Sequence, residues 1–163
     1  MGYVSKRLVV FAGLLAAPVA TTKVPPSPQS MPGTVDPRLV RLKQFLAERD
    51  CPIHQYAEVF IQAADDNDLD WRLLPSISFV ESSGGKVYQN NNVFGWDSCK
   101  GRFASIPAGI HYVAAKLANS SIYREKTIDQ KLRLYNPLQS YRTKVKAVMA
   151  SLSATEFILT AAN

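Results

Sequence analysis

Residues 75–96 read PSISFVESSGGKVYQNNNVFGW, and this stretch decides the predicted fold. Its apolar side chains, with the leucines just before it, recur at helical spacing, which predicts a buried helix that reaches Glu81. Gly84 and Gly85 follow, and glycine favours the left-handed backbone that ends a helix. Glu81 is therefore expected in the last helical turn, leaning toward the buried face.

The predicted position of Glu81 favours a carboxyl group that keeps its proton near neutral pH. The macrodipole is negative at that end of a helix and disfavours another negative charge. Partial burial also disfavours the charged form, so both effects raise the pKa. A protonated carboxyl is what a general acid needs to protonate the leaving oxygen of a glycosidic bond. The alternative is a surface glutamate near a helix end.

The 163-residue chain is long enough for one folded domain. Lys6 and Arg7 precede an uncharged apolar run of 13 residues that closes with small residues, as in a secretory signal peptide. The alternative is a membrane anchor, but the run is shorter than the ~20 residues that span a bilayer. Four of the ten prolines follow, which predicts an extended or disordered spacer. The predicted signal peptide, spacer, folded domain and tail cover residues 1–20, 21–35, 36–155 and 156–163.

Basic residues outnumber acidic ones, mainly in the second half of the chain. Without the signal peptide, 17 basic and 13 acidic residues remain, a formal charge of +4. From Lys86 onward there are 11 Lys or Arg residues against four Asp or Glu. Solvated helix faces explain most such charges. In an exported protein, attraction to an anionic surface such as a bacterial cell wall is the functional interpretation, and no aromatic-interleaved basic motif supports nucleic acid.

Two cysteines, Cys51 and Cys99, remain in the mature chain, and an exported protein meets an oxidising compartment. A disulfide between them is the simplest prediction, with a stabilisation of about 4 kcal/mol on the chain-entropy model. The two histidines form no partner pattern for a catalytic thiol or a zinc site. The acidic run DDNDLD at 65–70 lacks the glycine that a calcium loop needs. We therefore predict no metal ion and no cofactor.

Helical periodicity predicts a mainly α fold. Asp36, Ser105 and Thr127 are predicted helix N-caps, the last with a capping box. Pro75 removes a hydrogen bond from the third helix, so its regular part is expected to begin at 73 or 74. Between Asn92 and Ile106 the pattern VFGW, DSCKG, RFAS indicates a short, irregular β-hairpin. The six predicted helices cover about residues 37–50, 53–67, 69–83, 106–118, 128–134 and 138–151.

Three elements of the chain, in this order, resemble the lysozyme-like superfamily: ESSGG at 81–85, NNVFGW at 91–96 and YNP at 135–137. The resemblance covers about residues 36–152. It is closest to the branch of bacterial β-N-acetylglucosaminidases (mannosyl-glycoprotein endo-β-N-acetylglucosaminidase-like) and soluble lytic transglycosylases. It implies an α+β lysozyme-like fold, with about six helices around a core helix that ends in the catalytic glutamate. In that family the glutamate begins an E-S-G or E-S-S-G motif, so the resemblance gives Glu81 this role.

The resemblance also implies residues that contact the sugar. The NN-x-FG element of glucosaminidases lies at the edge of the sugar groove, and the tyrosine of the Tyr-Asn pair lies near the reacting sugar, which here is Tyr135. For the aromatic residues of 94–103 the alternatives are a sugar-stacking wall and a small hydrophobic cluster, and for Tyr135 the alternative is a core aromatic. The predicted substrate-binding residues are Ser82, Asn92, Phe94, Trp96, Phe103 and Asn136.

A second catalytic carboxylate is hard to find in the sequence, although glycoside hydrolysis usually employs two. Asp97 lies on the predicted hairpin and would activate water there, or it is an ordinary turn residue. Without it, the 2-acetamido group of the substrate acts as internal nucleophile, a known exception to the two-carboxylate scheme. Tyr135 would then steady the positive charge that develops on the sugar ring.

These observations predict an exported, periplasmic or secreted, monomeric enzyme that cleaves the β-1,4 glycan backbone of peptidoglycan or a related N-acetylglucosamine-containing glycan. The predicted catalytic residues are Glu81 as general acid/base, Tyr135 and Asp97. Hydrolysis of β-N-acetylglucosaminidase type is the first expectation. The alternatives are a lytic transglycosylase that forms 1,6-anhydromuramyl ends and a catalytically inactive glycan-binding module.

Overall fold

Six α-helices account for most of residues 35–153, the part of the chain that the computed structural model describes. The prediction of a mainly α protein is therefore confirmed. The predicted signal peptide, most of the spacer and the C-terminal tail lie outside the described residues. A short 3₁₀ helix, Pro52–Tyr56, precedes the second α-helix. The α-helices are α1 Pro37–Ala47, α2 Ala57–Asp65, α3 Leu73–Ser82, α4 Ile106–Asn119, α5 Ile128–Tyr135 and α6 Gln139–Ser153.

The predicted N-caps begin three of these helices. The Asp36 carboxylate accepts a hydrogen bond from the Arg38 backbone N–H at 2.8 Å, with proline at the first helical position of α1. The Ser105 hydroxyl accepts from a backbone N–H of α4 at 3.2 Å. Thr127 and Gln130 form both hydrogen bonds of a capping box at the start of α5. These helix starts depend on contacts between residues two or three positions apart, so the sequence predicts them well.

Helix α3 lies at the centre of the described domain and packs against α2, α4 and α6. Its residues 73–78 are all buried. Pro75 lies in the first turn, where an N–H has no partner within the helix, so the proline is tolerated there. The last turn, which carries Glu81, is partly exposed at residues 79–81.

Residues 92–105 form successive turns and not the predicted β-hairpin, and residues 35–153 contain no strand. Residues 97–99 have φ angles of 54°, 52° and 67°, which are incompatible with an extended strand. The buried Asn92 side chain replaces a strand ladder: its amide donates to the carbonyl oxygens of Trp96, at 3.0 Å, and Gly101, at 3.2 Å. Its own oxygen accepts from the Trp96 N–H at 3.0 Å. This asparagine side chain therefore fixes the loop 92–101.

The predicted disulfide is wrong, because Cys51 and Cys99 are both free. Cys51 is 1% exposed and lies beneath the turn after α3, where a Cβ added to Gly84 would come within 2.3 Å of its sulfur. Burial raises the pKa of the Cys51 thiol. Cys99 lies exposed in the loop 92–101. One thiol is thus covered by the turn and the other faces solvent, whereas a disulfide requires two Cβ atoms about 4 Å apart.

Within residues 35–153, no helix combines the length and the apolar character that a membrane crossing needs.

Candidate functional site

Helix α3 ends in a left-handed turn directly after Glu81. Ser83 has φ 53° and ψ 43°, and the two following glycines have φ 70° and 83°. The Ser82 hydroxyl donates to the Ser78 carbonyl at 2.8 Å and accepts from the Gly85 N–H at 2.9 Å. Ser82, a predicted substrate-binding residue, is therefore buried, and its hydroxyl holds the turn that positions its neighbour Glu81.

The Glu81 carboxyl lies against the backbone of the loop 92–101. A Cβ added to Gly95 would stand 2.5 Å from Glu81 Oε2 and 3.1 Å from its Cδ, closer than real Cβ contacts. Gly95 also has φ 60°, where glycine is favoured. Glycine at this position therefore lets the loop approach the carboxyl, and the loop in turn removes water from one side of Glu81.

Burial raises the pKa of Glu81, which agrees in direction with the sequence-based expectation. The nearby Tyr141 hydroxyl on α6 lowers the pKa in part, because an O–H donor close to the carboxyl favours its charged form. That hydroxyl is buried, and no hydrogen-bond partner among residues 35–153 lies within bonding distance of it. Burial, and next the charge of Glu81, raise the pKa of Tyr141, so it stays a neutral phenol. Tyr141 was given no role from the sequence; the available signal was a tyrosine where an apolar residue would suffice.

Tyr135, at the end of α5, lies near Tyr141 and Glu81. Its hydroxyl donates to the Phe94 carbonyl at 2.6 Å, and its ring stacks on that of Tyr141 with centroids 6.1 Å apart and planes 3° apart. Burial, followed by the neighbouring Tyr141 and Glu81, raises the pKa of Tyr135 well above its ordinary value. The structure thus gathers one carboxyl and two neutral phenols, with Glu81 close enough to Tyr135 for its charge to raise the pKa of Tyr135.

A groove of about 590 Å³ opens beside this group. Gly95 and Tyr135 belong both to its lining and to the surroundings of Glu81. Trp96 forms the middle of the wall, with ring centroids 5.7 to 6.3 Å from three tyrosines. The lining consists of Gly95, Trp96, Asp97, Ser98, Gly101, Arg102, Phe103, Tyr112, Ile122, Tyr123 and Tyr135.

Some predicted site residues line this groove, whereas Glu81 lies against Gly95 and is not itself among the lining residues. Trp96, Phe103, Asp97 and Tyr135 line it. The other predicted contacts serve the fold. Phe94 is fully buried with its ring 6.2 Å from Phe60, and Asn92 holds the loop as described above.

Asn136, also a predicted contact, caps the end of α5, and its side-chain oxygen accepts from the Leu138 N–H at 3.1 Å. It is not among the residues that line the groove. The two residues of the Tyr-Asn pair thus have different roles: Tyr135 lines the groove, and Asn136 shapes the connection to α6.

Three of the residues that line the groove were not predicted from the sequence. Tyr112 on α4 and Ile122 in the turn before α5 are 44% and 59% exposed, and Tyr123 completes this wall. The available signal was a large aromatic residue, Tyr112, between the apolar positions that form the buried face of α4. The approach of these residues to Trp96 depends on how α4 packs beside the loop, which periodicity does not show.

Within residues 35–153, no cluster of three or more His, Cys, Asp or Glu side chains has the arrangement of a metal site. Asp97 is the acidic side chain among the described residues that line the groove.

No protein-family model matches the chain, and no curated protein or solved structure matches it significantly. The resemblance to the lysozyme-like superfamily therefore rests on the three motif elements, and it stays a prediction.

Proposed function

We propose that this protein cleaves the β-1,4-linked glycan strands of peptidoglycan, with Glu81 as the general acid/base. The observation that carries the proposal is the Glu81 carboxyl, partly buried and with a raised pKa, at the point where Gly95 and Tyr135 meet an aromatic groove. A carboxyl with such surroundings, beside a pocket of aromatic and a few polar side chains, is the arrangement expected of a catalytic acid.

In the proposed step, Glu81 gives its proton to the glycosidic oxygen as the bond from that oxygen to the sugar C1 breaks. Positive charge develops on the ring that contains this C1. Where no second carboxylate acts as base, the Glu81 carboxylate then takes a proton from the attacking water. The phenol of Tyr135 is neutral and donates a hydrogen bond to the Phe94 carbonyl. The lone pairs of the phenol oxygen then stay available to stabilise the positive charge on the sugar ring.

The groove supports a glycan substrate. Trp96, Phe103, Tyr112 and Tyr123 present flat, amphipathic surfaces of low conformational entropy, and apolar faces of sugar rings pack on such surfaces. Asp97 and Arg102 add charged groups at the groove for hydroxyl and acetamido substituents. The groove is open at the surface, as a polymeric substrate requires.

The second catalytic group has two candidates. Asp97 in the groove lining would activate water, and the reaction would then invert the anomeric carbon when the carboxyls lie about 6.5 to 9.5 Å apart. The 2-acetamido group of the substrate would instead attack C1 itself and give retention. Asp97→Asn separates them, because only the first scheme predicts a loss of about 10²-fold or more in rate. The anomer released first, observed by NMR, gives the same distinction.

Two experiments test the proposed function. A zymogram with purified sacculi distinguishes an enzyme, which clears the gel, from a binding module, which co-sediments with sacculi without clearing. Mass spectrometry of the digest then distinguishes hydrolysis, which leaves reducing sugar ends, from lytic transglycosylation, which leaves 1,6-anhydromuramyl ends. Absence of clearing with folded protein would refute an enzymatic function.

Export and a monomeric state belong to the same proposal. The apolar run that follows Lys6 and Arg7 supports secretion, and it lies outside the described residues. Amino-terminal sequencing of the mature protein gives the cleavage point.

A further inference from the structure

Lys131 is a buried lysine on α5 that the proposed reaction does not use. Only 8% of it is exposed, and its ammonium donates to the carbonyl oxygens of Leu117, at 2.5 Å, and Tyr123, at 2.7 Å. None of the ion pairs formed by residues 35–153 involves Lys131. A buried ammonium without a carboxylate depends on such acceptors, because burying it without partners costs much more.

The two acceptors belong to separate parts of the chain. Leu117 lies in the last turn of α4, where the macrodipole is negative and favours a cation. Tyr123 lies in the turn segment 120–126, whose own backbone supplies two hydrogen bonds to the Ser120 carbonyl, at 2.9 and 3.0 Å. Lys131 therefore ties this segment to the ends of both flanking helices.

The segment 120–126 supplies one wall of the groove. Ile122 and Tyr123 line the groove, and the Tyr123 ring lies 6.3 Å from Trp96 between centroids. Ile122 is 59% exposed, so little core packing holds it in place. The Tyr123 ring is partly buried and packs against the core. The Tyr123 carbonyl accepts from the Lys126 backbone N–H at 3.3 Å and from the Lys131 ammonium at 2.7 Å, so Lys131 forms the shorter of the two hydrogen bonds that hold this backbone.

We propose that Lys131 is a positioning residue for glycan binding: by tying the Tyr123 carbonyl to the end of α4, it keeps the Tyr123 ring beside that of Trp96 in the groove lining. The identity of the ligand rests on the proposed function, whereas the position of Tyr123 is a property of the protein alone. Lys131 acts through the wall and not on the reacting atoms, so its loss weakens binding and leaves the chemical step intact.

The test uses Trp96 as a reporter in the full chain. The chain has two tryptophans, so every protein carries Trp71→Phe to isolate Trp96 fluorescence. Lys131→Met keeps the length of the apolar stem and removes the donors. Lys126→Met is the matched control, because it removes an exposed lysine from the same segment. Acrylamide quenching of Trp96 is measured first. A tetramer of β-1,4-linked N-acetylglucosamine is then titrated, with Glu81→Gln added to every protein so that the tetramer is not cleaved.

Lys131→Met is expected to fold, by circular dichroism, with Trp96 more accessible to acrylamide and a Kd for the tetramer raised roughly three- to tenfold, the effect of one lost aromatic contact. Lys126→Met is expected to change neither the accessibility of Trp96 to acrylamide nor the Kd for the tetramer. A folded Lys131→Met with unchanged quenching and Kd would overturn the proposal.

If Lys131→Met does not fold, Lys131→Gln, which keeps one donor group, takes its place. If that variant is unfolded too, Lys131 serves the whole fold and the proposal is wrong. If the tetramer fails to bind even the parent protein, the proposed function fails, and the quenching comparison still decides whether Lys131 positions the wall.

Discussion

At the scale of single residues, two opposing effects set the protonation of Glu81. Burial raises its pKa, and the Tyr141 hydroxyl lowers it in part. A general acid acts in its protonated form, so the rate falls as the pH rises through its pKa. Because the net shift is upward, we expect activity to persist to higher pH than an ordinary carboxyl would allow.

Tyr141→Phe tests this balance. Removing the hydroxyl removes the interaction that lowers the pKa of Glu81, so the alkaline limb of the pH–rate profile is expected to move to higher pH. Tyr56→Phe, remote in the 3₁₀ helix, is the control and should leave the profile in place. The measurement is the rate of sacculus clearing against pH. A shift to lower pH, or none, would contradict the role given to Tyr141.

Some roles of single residues could be predicted from the sequence, and others could not. Glu81 in the last turn of a buried helix was predictable, because helical spacing and the glycine pair are local signals. Its partner Tyr141 was not, because the contact joins α3 to α6 and depends on tertiary packing. For the same reason Phe94 and Asn92, which belong to a groove motif in the resemblance, could not be separated from groove residues by sequence alone.

At the scale of elements, the loop 92–101 depends on one buried side chain. Asn92→Ala would leave two carbonyls and one N–H of this loop without their partner. We expect a loss of about 1–3 kcal/mol in the free energy of unfolding, measured by urea denaturation. Asn119→Ala, at the exposed end of α4, is the control with an expected loss below about 1 kcal/mol. Equal effects of the two substitutions would show that Asn92 is not a determinant of the loop.

The approach of this loop to α3 gives a second prediction. Gly95→Ala places a Cβ 2.5 Å from Glu81 Oε2 at φ 60°, so either the loop or the carboxyl must move. Displacement by about 1 Å typically costs about 10²-fold in rate, and a strained alanine costs about 1–3 kcal/mol of stability. The rate of sacculus clearing tests the loss in rate, and urea unfolding of the same preparation tests the loss in stability. Wild-type activity in Gly95→Ala would mean that Glu81 does not need this contact.

The start of a helix was predictable where the capping side chain lies within three residues of the backbone N–H that it binds. The starts of α1, α4 and α5 follow from Asp36, Ser105 and Thr127. The second helix begins instead as the 3₁₀ helix Pro52–Tyr56. The hairpin prediction failed because alternating apolar residues also occur in a turn-rich loop, and side-chain hydrogen bonds from asparagine replaced the strand ladder.

At the scale of the whole molecule, the described domain is held without a disulfide. We therefore expect a reducing agent to leave the melting temperature unchanged. Ellman's reagent should modify Cys99 rapidly in the native protein and Cys51 only after unfolding, because Cys51 is buried and its thiol pKa is raised. A fall in melting temperature on reduction, or no free thiol after unfolding, would contradict this arrangement. Sequence spacing could not decide the pairing, because the distance between two cysteines is set by the fold.

In the described domain, an acid at the end of α3, two phenols and an aromatic groove lie around the loop 92–101. The most direct test of the proposed role of Glu81 compares two variants in the digestion of purified sacculi. These are Glu81→Gln and Glu58→Gln, which changes an exposed glutamate on α2. We expect Glu58→Gln to digest at the wild-type rate. Glu81→Gln should fold normally and lose about 10²–10⁴-fold in rate. Retained digestion by a folded Glu81→Gln protein would contradict the account.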